Sequence, residues 1–337
     1  MPIREAKFPK FAVDLDQTFA RFGTVYVLGD VHDNQETFIA FLVSTGIGFV
    51  LPSNDTQCDN INDISKYRLK PGVLLVFLGD VIYKTKKYFK CIAKFILNNK
   101  DNCVLILGNN EVKFVYEHIH LFERIAEGLI PRNSFLKLSR AIKQKKNTDI
   151  VGVIYFVINW FRKANIGNRL KQSWKWYYEC LFNEFQSDQD NLEDIMFLMY
   201  ILTESIIMGL SKQFKLILLH AGLNPLRPLE SQRIVDICNI RTHRQMPWYT
   251  YYTEIDYTLV FGHWSRLTKD GTSSKPHIYL NSICLDTGCY YTNVLSYIVF
   301  HPGEKRTERF LHHYTNFISY NNQNTFYGLS FVYADNK

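Results

Sequence analysis

The chain lacks several things that would narrow its class at once. Its seven cysteines are scattered, with no C-x-x-C pair. An odd, unpatterned set of this kind suits a reducing compartment. The N-terminal stretch MPIREAKFPKF carries charges where a signal peptide needs an apolar run, so no secretion signal is expected and the expected location is cytoplasmic. No apolar run reaches the roughly 20 residues of a membrane span. The stretch Val151 to Phe161 is too short and contains Asn159, and Ile195 to Leu210 contains Glu204; both read as buried helices. No internal repeat stands out.

What is present is a large apolar fraction. Of 337 residues 47% are apolar, and 25 Phe and 21 Tyr alone supply enough side chain for a sizeable core, which argues against a disordered chain. The length suits one large domain or two ordinary ones. The net charge of +7 favours acidic partners such as nucleotides, nucleic acid or phosphoproteins, and equally describes a mildly basic soluble protein. The abundance of Asn, Ile, Lys, Phe and Tyr is that of an AT-rich coding sequence, of the kind some large DNA viruses carry, for which the compartment would be the host cytoplasm.

The pattern along the chain is that of an α/β protein. Thr24 to Leu28 is a short β-rich run ending in Gly29-Asp30, and Thr37 to Val43 is apolar at helical spacing. Residues 52–70 are polar, rich in Asn and Asp, and read as an exposed loop. Val73 to Leu78 is a second buried strand, again ending in Gly-Asp. Tyr88, Cys91, Ile92, Phe95 and Ile96 mark a helix face, and Val104 to Leu107 is a third strand. Strand and helix alternating at this spacing give βαβ units. From Glu111 to Leu210 the pattern is almost wholly helical. That segment includes the basic run Lys137 to Lys146 and the aromatic cluster Trp174 to Tyr178, which could grip nucleotide bases or form a helical cap with one solvated face. Strands resume at Lys215 to Leu219, Thr258 to Phe261, His277 to Leu280, Ile283 to Leu285 and Val294 to Phe300.

Five strand-like runs end in a residue able to hold a metal. Asp30 and His32 follow the first, at the i, i+2 spacing that puts two side chains on one side of an extended segment. Asp80 follows the second, Asn109 the third, His220 the run Leu216 to Leu219, and His263 the run Leu259 to Gly262. In open α/β sheets the carboxyl ends of strands are where ligands bind. A single Asp-x-His is weak, and turn-forming residues also collect at strand ends; five such ends carry more weight.

The series GDVHDN, FLGDVIYK, LILGNNE, LLHAGLNP and VFGHW resembles the calcineurin-type metallophosphoesterases, the superfamily of the phosphoprotein phosphatases. Its sub-pattern is most similar to the symmetrical bis(5′-nucleosyl)-tetraphosphatases and ApaH-like phosphatases, with support from Lys215 to Pro225, Pro247-Trp248 and Cys284 to Cys289. Motif order holds from residue 24 to about 300, whereas 112–210 matches only in being helical. The resemblance implies a central β-sandwich flanked by helices over 20–310, a helical insertion at 112–210 and a C-terminal extension at 311–337. It implies two divalent ions, Mn²⁺ above Fe or Zn²⁺ for such mixed donors. Asp30, His32 and Asp80 would hold one ion; Asp80 would bridge to the other, held by Asn109, His220 and His263. Lys84, Arg241, Arg244 and Arg266 are the candidates for gripping substrate phosphates. His243 reads as exposed, and Cys284 and Cys289 as structural.

Departures from the family pattern cluster around proton delivery. Asn110 stands where the phosphoprotein phosphatases keep a His that protonates the leaving group, and Tyr83 where they keep its Asp partner, which ApaH-type enzymes also lack. Lys84 replaces a planar Arg fork with a point charge. Asp33 stands at a usual Gly, and Thr292-Asn293 at a usual Gly-Gly. Three functions remain open: a two-metal hydrolase of nucleotide polyphosphates or RNA 5′ ends, a serine/threonine protein phosphatase with another acid, and a metal-binding pseudophosphatase kept for binding. A protein partner could dock on the helical insertion.

Overall fold

The computed structural model describes residues 7–50, 63–82, 89–118, 189–252, 256–265, 275–302, 310–317 and 325–333. In chain order the elements are β1 Ala12–Asp14, α1 Asp16–Phe19, β2 Thr24–Leu28, α2 Gln35–Ser44, β3 Gly48–Val50, β4 Tyr67–Leu69, β5 Val73–Phe77, α3 Phe89–Asn98, β6 Cys103–Leu105 and α4 Asn109–Glu117. There follow α5 Gln189–Glu204, β7 Met208–Ser211, β8 Leu216–Leu219, α6 Ile234–Asn239, β9 Thr242–His243, β10 Met246–Pro247, β11 Thr258–Phe261, β12 His277–Tyr279, β13 Ser282–Cys284, α7 Cys289–Thr292, β14 Val294–Phe300, β15 Phe310–Phe317 and β16 Thr325–Tyr333.

Two mixed six-stranded sheets dominate, in the orders β1-β7-β8-β11-β13-β12 and β15-β16-β14-β2-β5-β6. Within the first, β8, β11 and β13 are parallel neighbours. Within the second, β2, β5 and β6 are parallel neighbours. Six strands therefore release their chains at carboxyl ends, three per sheet, and these are the ends that carry the metal-type side chains.

Alternation along the strands explains why the sheets face each other. Val25 and Val27 of β2, Leu74 and Val76 of β5, and Ile298 and Phe300 of β14 share one buried cluster with Leu216 and Leu218 of β8, Val260 of β11 and Ile283 of β13. The intervening residues point outward onto helices and loops. On the second sheet, Phe38 of α2 packs edge-on against Phe77 at 5.7 Å, and Phe41 against Tyr297 at 5.0 Å. Phe95 of α3 closes on Phe38 at 5.1 Å. On the first sheet, Trp248 and Tyr249 cover Phe261 at 4.9 and 5.6 Å. With both faces covered, β5 is buried at every residue, as its uninterrupted Val-Leu-Leu-Val-Phe run anticipates. Helix α2 starts where Asn34 accepts a hydrogen bond from the Thr37 N–H at 3.1 Å, a side-chain N-cap.

The α/β class and the two-layer sandwich agree with the sequence reading; three details differ from it. The helical pattern does not run to Leu210: α5 ends at Glu204 and Met208–Ser211 is a strand. The Ser205 hydroxyl donates back to the Ile201 carbonyl, closing the helix, and Met208 to Ser211 pair antiparallel with Leu219 to Leu216. Part of the supposed loop at 52–70 is β4, paired with β3; its alternation is too short to register as a pattern. Strand β1 was not anticipated, its three residues offering no period. Beyond residue 310, β15 and β16 continue the second sheet outward from β14.

The chain divides into two compact units, residues 1–109 with 206–337, and residues 110–205. In the described part of the second unit, α4 and α5 meet through Phe114 and Phe197, ring centres 5.8 Å apart. Among the described residues no helix is long and apolar enough to cross a membrane. The 137–146 and 174–178 stretches and the apolar run 151–161 lie outside the described residues.

Candidate metal centre

Ladder hydrogen bonds continue past the strand ends and carry the loops into register. The His32 N–H donates to the Asp80 carbonyl at 2.9 Å, tying the loop after β2 to that after β5. The Gly262 N–H donates to the His220 carbonyl at 2.8 Å, doing the same for β8 and β11. The two sheets then meet at this edge. The His263 N–H donates to Asp30 Oδ2 at 3.0 Å, and His220 Nδ1 lies 2.8 Å from the Leu78 carbonyl oxygen.

Such closeness leaves no room at the glycines that precede the ligand positions. A Cβ on Gly262 would sit 1.9 Å from Asp30 Oδ1. A Cβ on Gly79, whose φ is +101°, would sit 2.6 Å from the Gly108 nitrogen and 2.7 Å from His220 Nδ1. The residues after these glycines and after Asp30 are themselves bent: His32, Asp80 and His263 have φ of 51°, 48° and 66°. Left-handed backbone at non-glycine residues costs about 1–3 kcal/mol each and gathers where a site demands it.

Two ligand groups result. In the first, donor atoms of Asp80, His220 and His263 lie within 4.8 Å of one another. His220 Nε2 lies 3.4 Å from Asp80 Oδ1, 3.2 Å from His263 Nδ1 and 3.1 Å from Asn109 Oδ1. Tautomers are fixed by backbone carbonyls, which can only accept: His220 Nδ1 donates to Leu78, and His263 Nε2, 3.2 Å from the Asn239 oxygen, donates there. Burial, then the neighbouring His263, holds the His220 pKa well below its usual value, so its ring is neutral. The bare Nε2 of His220, the Nδ1 of His263, a carboxylate oxygen and an amide oxygen therefore converge. A divalent cation satisfies all four at once, and the carbonyl-oriented imidazoles are the outer shell that such an ion requires.

The second group is Asp30, His32 and Asp286, again with donor atoms within 4.8 Å. His32 Nε2 stands 3.6 Å from Asp30 Oδ2. Burial lowers the His32 pKa to about 4, keeping its ring neutral and open to a cation. Burial pushes the Asp286 carboxyl up to about 6, against hydrogen bonds from the Gly288 and Ser265 backbones and the charge of Arg241. The sequence reading passed over Asp286. It follows the strand run Ile283 to Leu285 as Asp80 follows Val73 to Leu78, so the rule that found the other strand ends applies to it unchanged.

The remaining expected residues fall as follows. Asn109 opens α4 and faces His220, and Asn110 is the next residue of that helix, half-buried. Arg241 is exposed yet donates from Nη2 to the His263 carbonyl at 3.3 Å, which brings its guanidinium to the centre. Arg244 is exposed at the turn of the β9–β10 hairpin, with φ of 47°. His243 is half-buried rather than exposed, its ring edge-on to Tyr251 at 5.3 Å. Cys284 and Cys289 are buried free thiols, outside both ligand groups. Tyr83, Lys84 and Arg266 lie outside the described residues.

Two of the sequence departures are absorbed by the backbone. Asp33 and Asn293 take φ of 57° and 54°, the left-handed region a glycine would occupy, and Asp and Asn are the side chains that best tolerate it. Asn293 Oδ1 also accepts from Asn34 Nδ2 at 2.9 Å, and the same Asn34 amide donates to the Cys289 carbonyl at 2.8 Å. The loop carrying Asp286 is thereby fastened to the loop carrying His32.

No curated protein matches the chain. A solved structure of a candidate diadenosine tetraphosphatase aligns with a TM-score of 0.46 at 16% identity, covering 86% of this chain and 93% of that one. The profile of the calcineurin-like phosphoesterases matches residues 23–314. The chain belongs to the calcineurin-like phosphoesterase family of metal-dependent hydrolases.

Proposed function

We propose that the protein is a two-metal hydrolase of phosphoanhydride bonds, acting on nucleotide polyphosphates or RNA 5′ ends. The observation that carries the metal reading is the convergence of donor atoms about His220 Nε2, with His263 Nδ1, Asp80 Oδ1 and Asn109 Oδ1 all within 3.4 Å. On this reading Asp30, His32, Asp80, Asn109, His220 and His263 hold the ions, with Mn²⁺ the best match to mixed oxygen and imidazole donors. Such ions, when bound, supply an activated water and neutralise charge on the phosphoryl oxygens. Arg241, held at the centre by its bond to the His263 carbonyl, orients the phosphate through a forked cation, and Arg244 extends that basic edge.

The substrate class follows from what Asn110 cannot do. A carboxamide donates hydrogen bonds but gives up no proton near neutral pH, and general acid catalysis contributes about 10²–10⁴-fold. A serine alkoxide is strongly basic and needs that proton to leave. A nucleotide leaving a polyphosphate chain is weakly basic and departs as an anion. The position of Asn110 thus favours anhydrides over phosphoserine. The test is Mn²⁺-dependent turnover of diadenosine tetraphosphate and of a 5′-triphosphorylated RNA, beside a phosphoserine peptide. Nucleotide release that vanishes with chelation supports the reading. Equal turnover of the peptide would favour a protein phosphatase, and bound metal with no turnover on any substrate a pseudophosphatase.

A further inference from the structure

We infer that Asp286 is a ligand of one of the two metals, completing with Asp30 and His32 a carboxylate-rich half of the centre. The inference rests on the two-metal reading above and adds to its six positions a seventh. Three observations carry it. Asp286 follows β13, the parallel neighbour of β11, whose own end delivers His263, so the topology presents both at one edge. Its carboxylate lies with Asp30 and His32 inside a 4.8 Å set that does not include Asp80, which belongs to the set of His220 and His263. Its side chain is buried, at 5% exposure, and oriented by the Gly288 N–H at 2.9 Å, as an oriented carboxylate ligand should be.

The division has a chemical consequence. Without Asp286, Asp30 and His32 would have only the bridging Asp80 as a further protein donor. With it, that group carries two carboxylates of its own beside the shared one, whereas the His220 group has only the shared one. Attraction for a divalent ion scales with ligand charge, and oxygen-rich sets favour Mn²⁺ or Mg²⁺ over Zn²⁺. The two sites are therefore unequal, and the Asp286 site is the one that tells Mn²⁺ from Zn²⁺.

The experiment is calorimetric titration of the metal-stripped full-length chain with Mn²⁺, alongside thermal melting with and without the ion. The wild type binds two ions per chain. Asp286→Asn keeps a carbonyl to accept from Gly288, so its metal-free melting should match the wild type, while one of the two sites weakens at least about tenfold. His220→Ala should weaken the other site. Should Asp286→Asn fail to fold, Asp286→Glu decides: it keeps the charge one methylene further out, and altered affinity at one site alone supports the assignment. Two ions bound at wild-type affinity by either folded variant would overturn it. A wild type that binds no Mn²⁺ would instead bring down the two-metal reading itself.

Discussion

The two ligand groups are built from the same kind of strand ends and differ in chemistry. Around His220 the donors are two imidazoles, an amide and one carboxylate, with both rings turned by backbone carbonyls. Around Asp286 they are two carboxylates and one imidazole. On the proposed reading, the first group would bind an ion through lone-pair geometry and the second through charge. An arrangement of this kind can hold two ions side by side without asking both sites to compete for the same one.

The largest effect should come from the carboxylate of the His220 group. Asp80→Ala removes the negative charge among those donors and should lower Mn²⁺-dependent turnover by about 10³-fold, several kcal/mol of lost charge stabilisation; steady-state rates at saturating Mn²⁺ measure it. Next is the packing that brings the groups together. Gly262→Ala places a methyl 1.9 Å from Asp30 Oδ1. It should destabilise the chain by about 1–3 kcal/mol and release Mn²⁺ from both groups, seen by melting and by metal content after dialysis.

A smaller change tests the acid position. Asn110→His should raise turnover of a phosphoserine peptide by about tenfold or more and leave turnover of diadenosine tetraphosphate within a few-fold, as rates on the two substrates would show. Smallest is the effect of pH on the metal-free chain. His32, lowered to about 4, and His220, lowered well below its usual value, are neutral when folded and protonate near 6.5 when unfolded. The unfolded chain takes up protons first, so stability is lost as pH falls from 6.5 towards 4. Asp286, raised to about 6, works the other way and offsets part of the loss. Melting temperatures across that window should therefore fall modestly with acid.

Much of this was legible from strand ends. Val73 to Leu78 and Leu216 to Leu219 are short, fully apolar and followed within two residues by Asp80 or His220, so pattern and chemistry coincide. Met208 to Ser211 escaped because an apolar run after a helical one keeps no period of its own, and only pairing with Leu216 to Leu219 makes it a strand. Asp286 escaped because its motif, Leu-Asp-Thr-Gly, resembles a turn; the carboxylate becomes a candidate ligand only when the sheets bring it to Asp30. Nor can a sequence display the tautomers of His220 and His263, which depend on carbonyls distant in the chain.

The most direct measurement is the ratio of Mn²⁺-dependent turnover on diadenosine tetraphosphate to that on a phosphoserine peptide, made on the wild-type chain. The proposed two-metal centre, together with Asn110 read as the missing acid, predicts a ratio of about 10² or more, abolished by chelation. A ratio near one, or hydrolysis that persists without metal, would contradict the account.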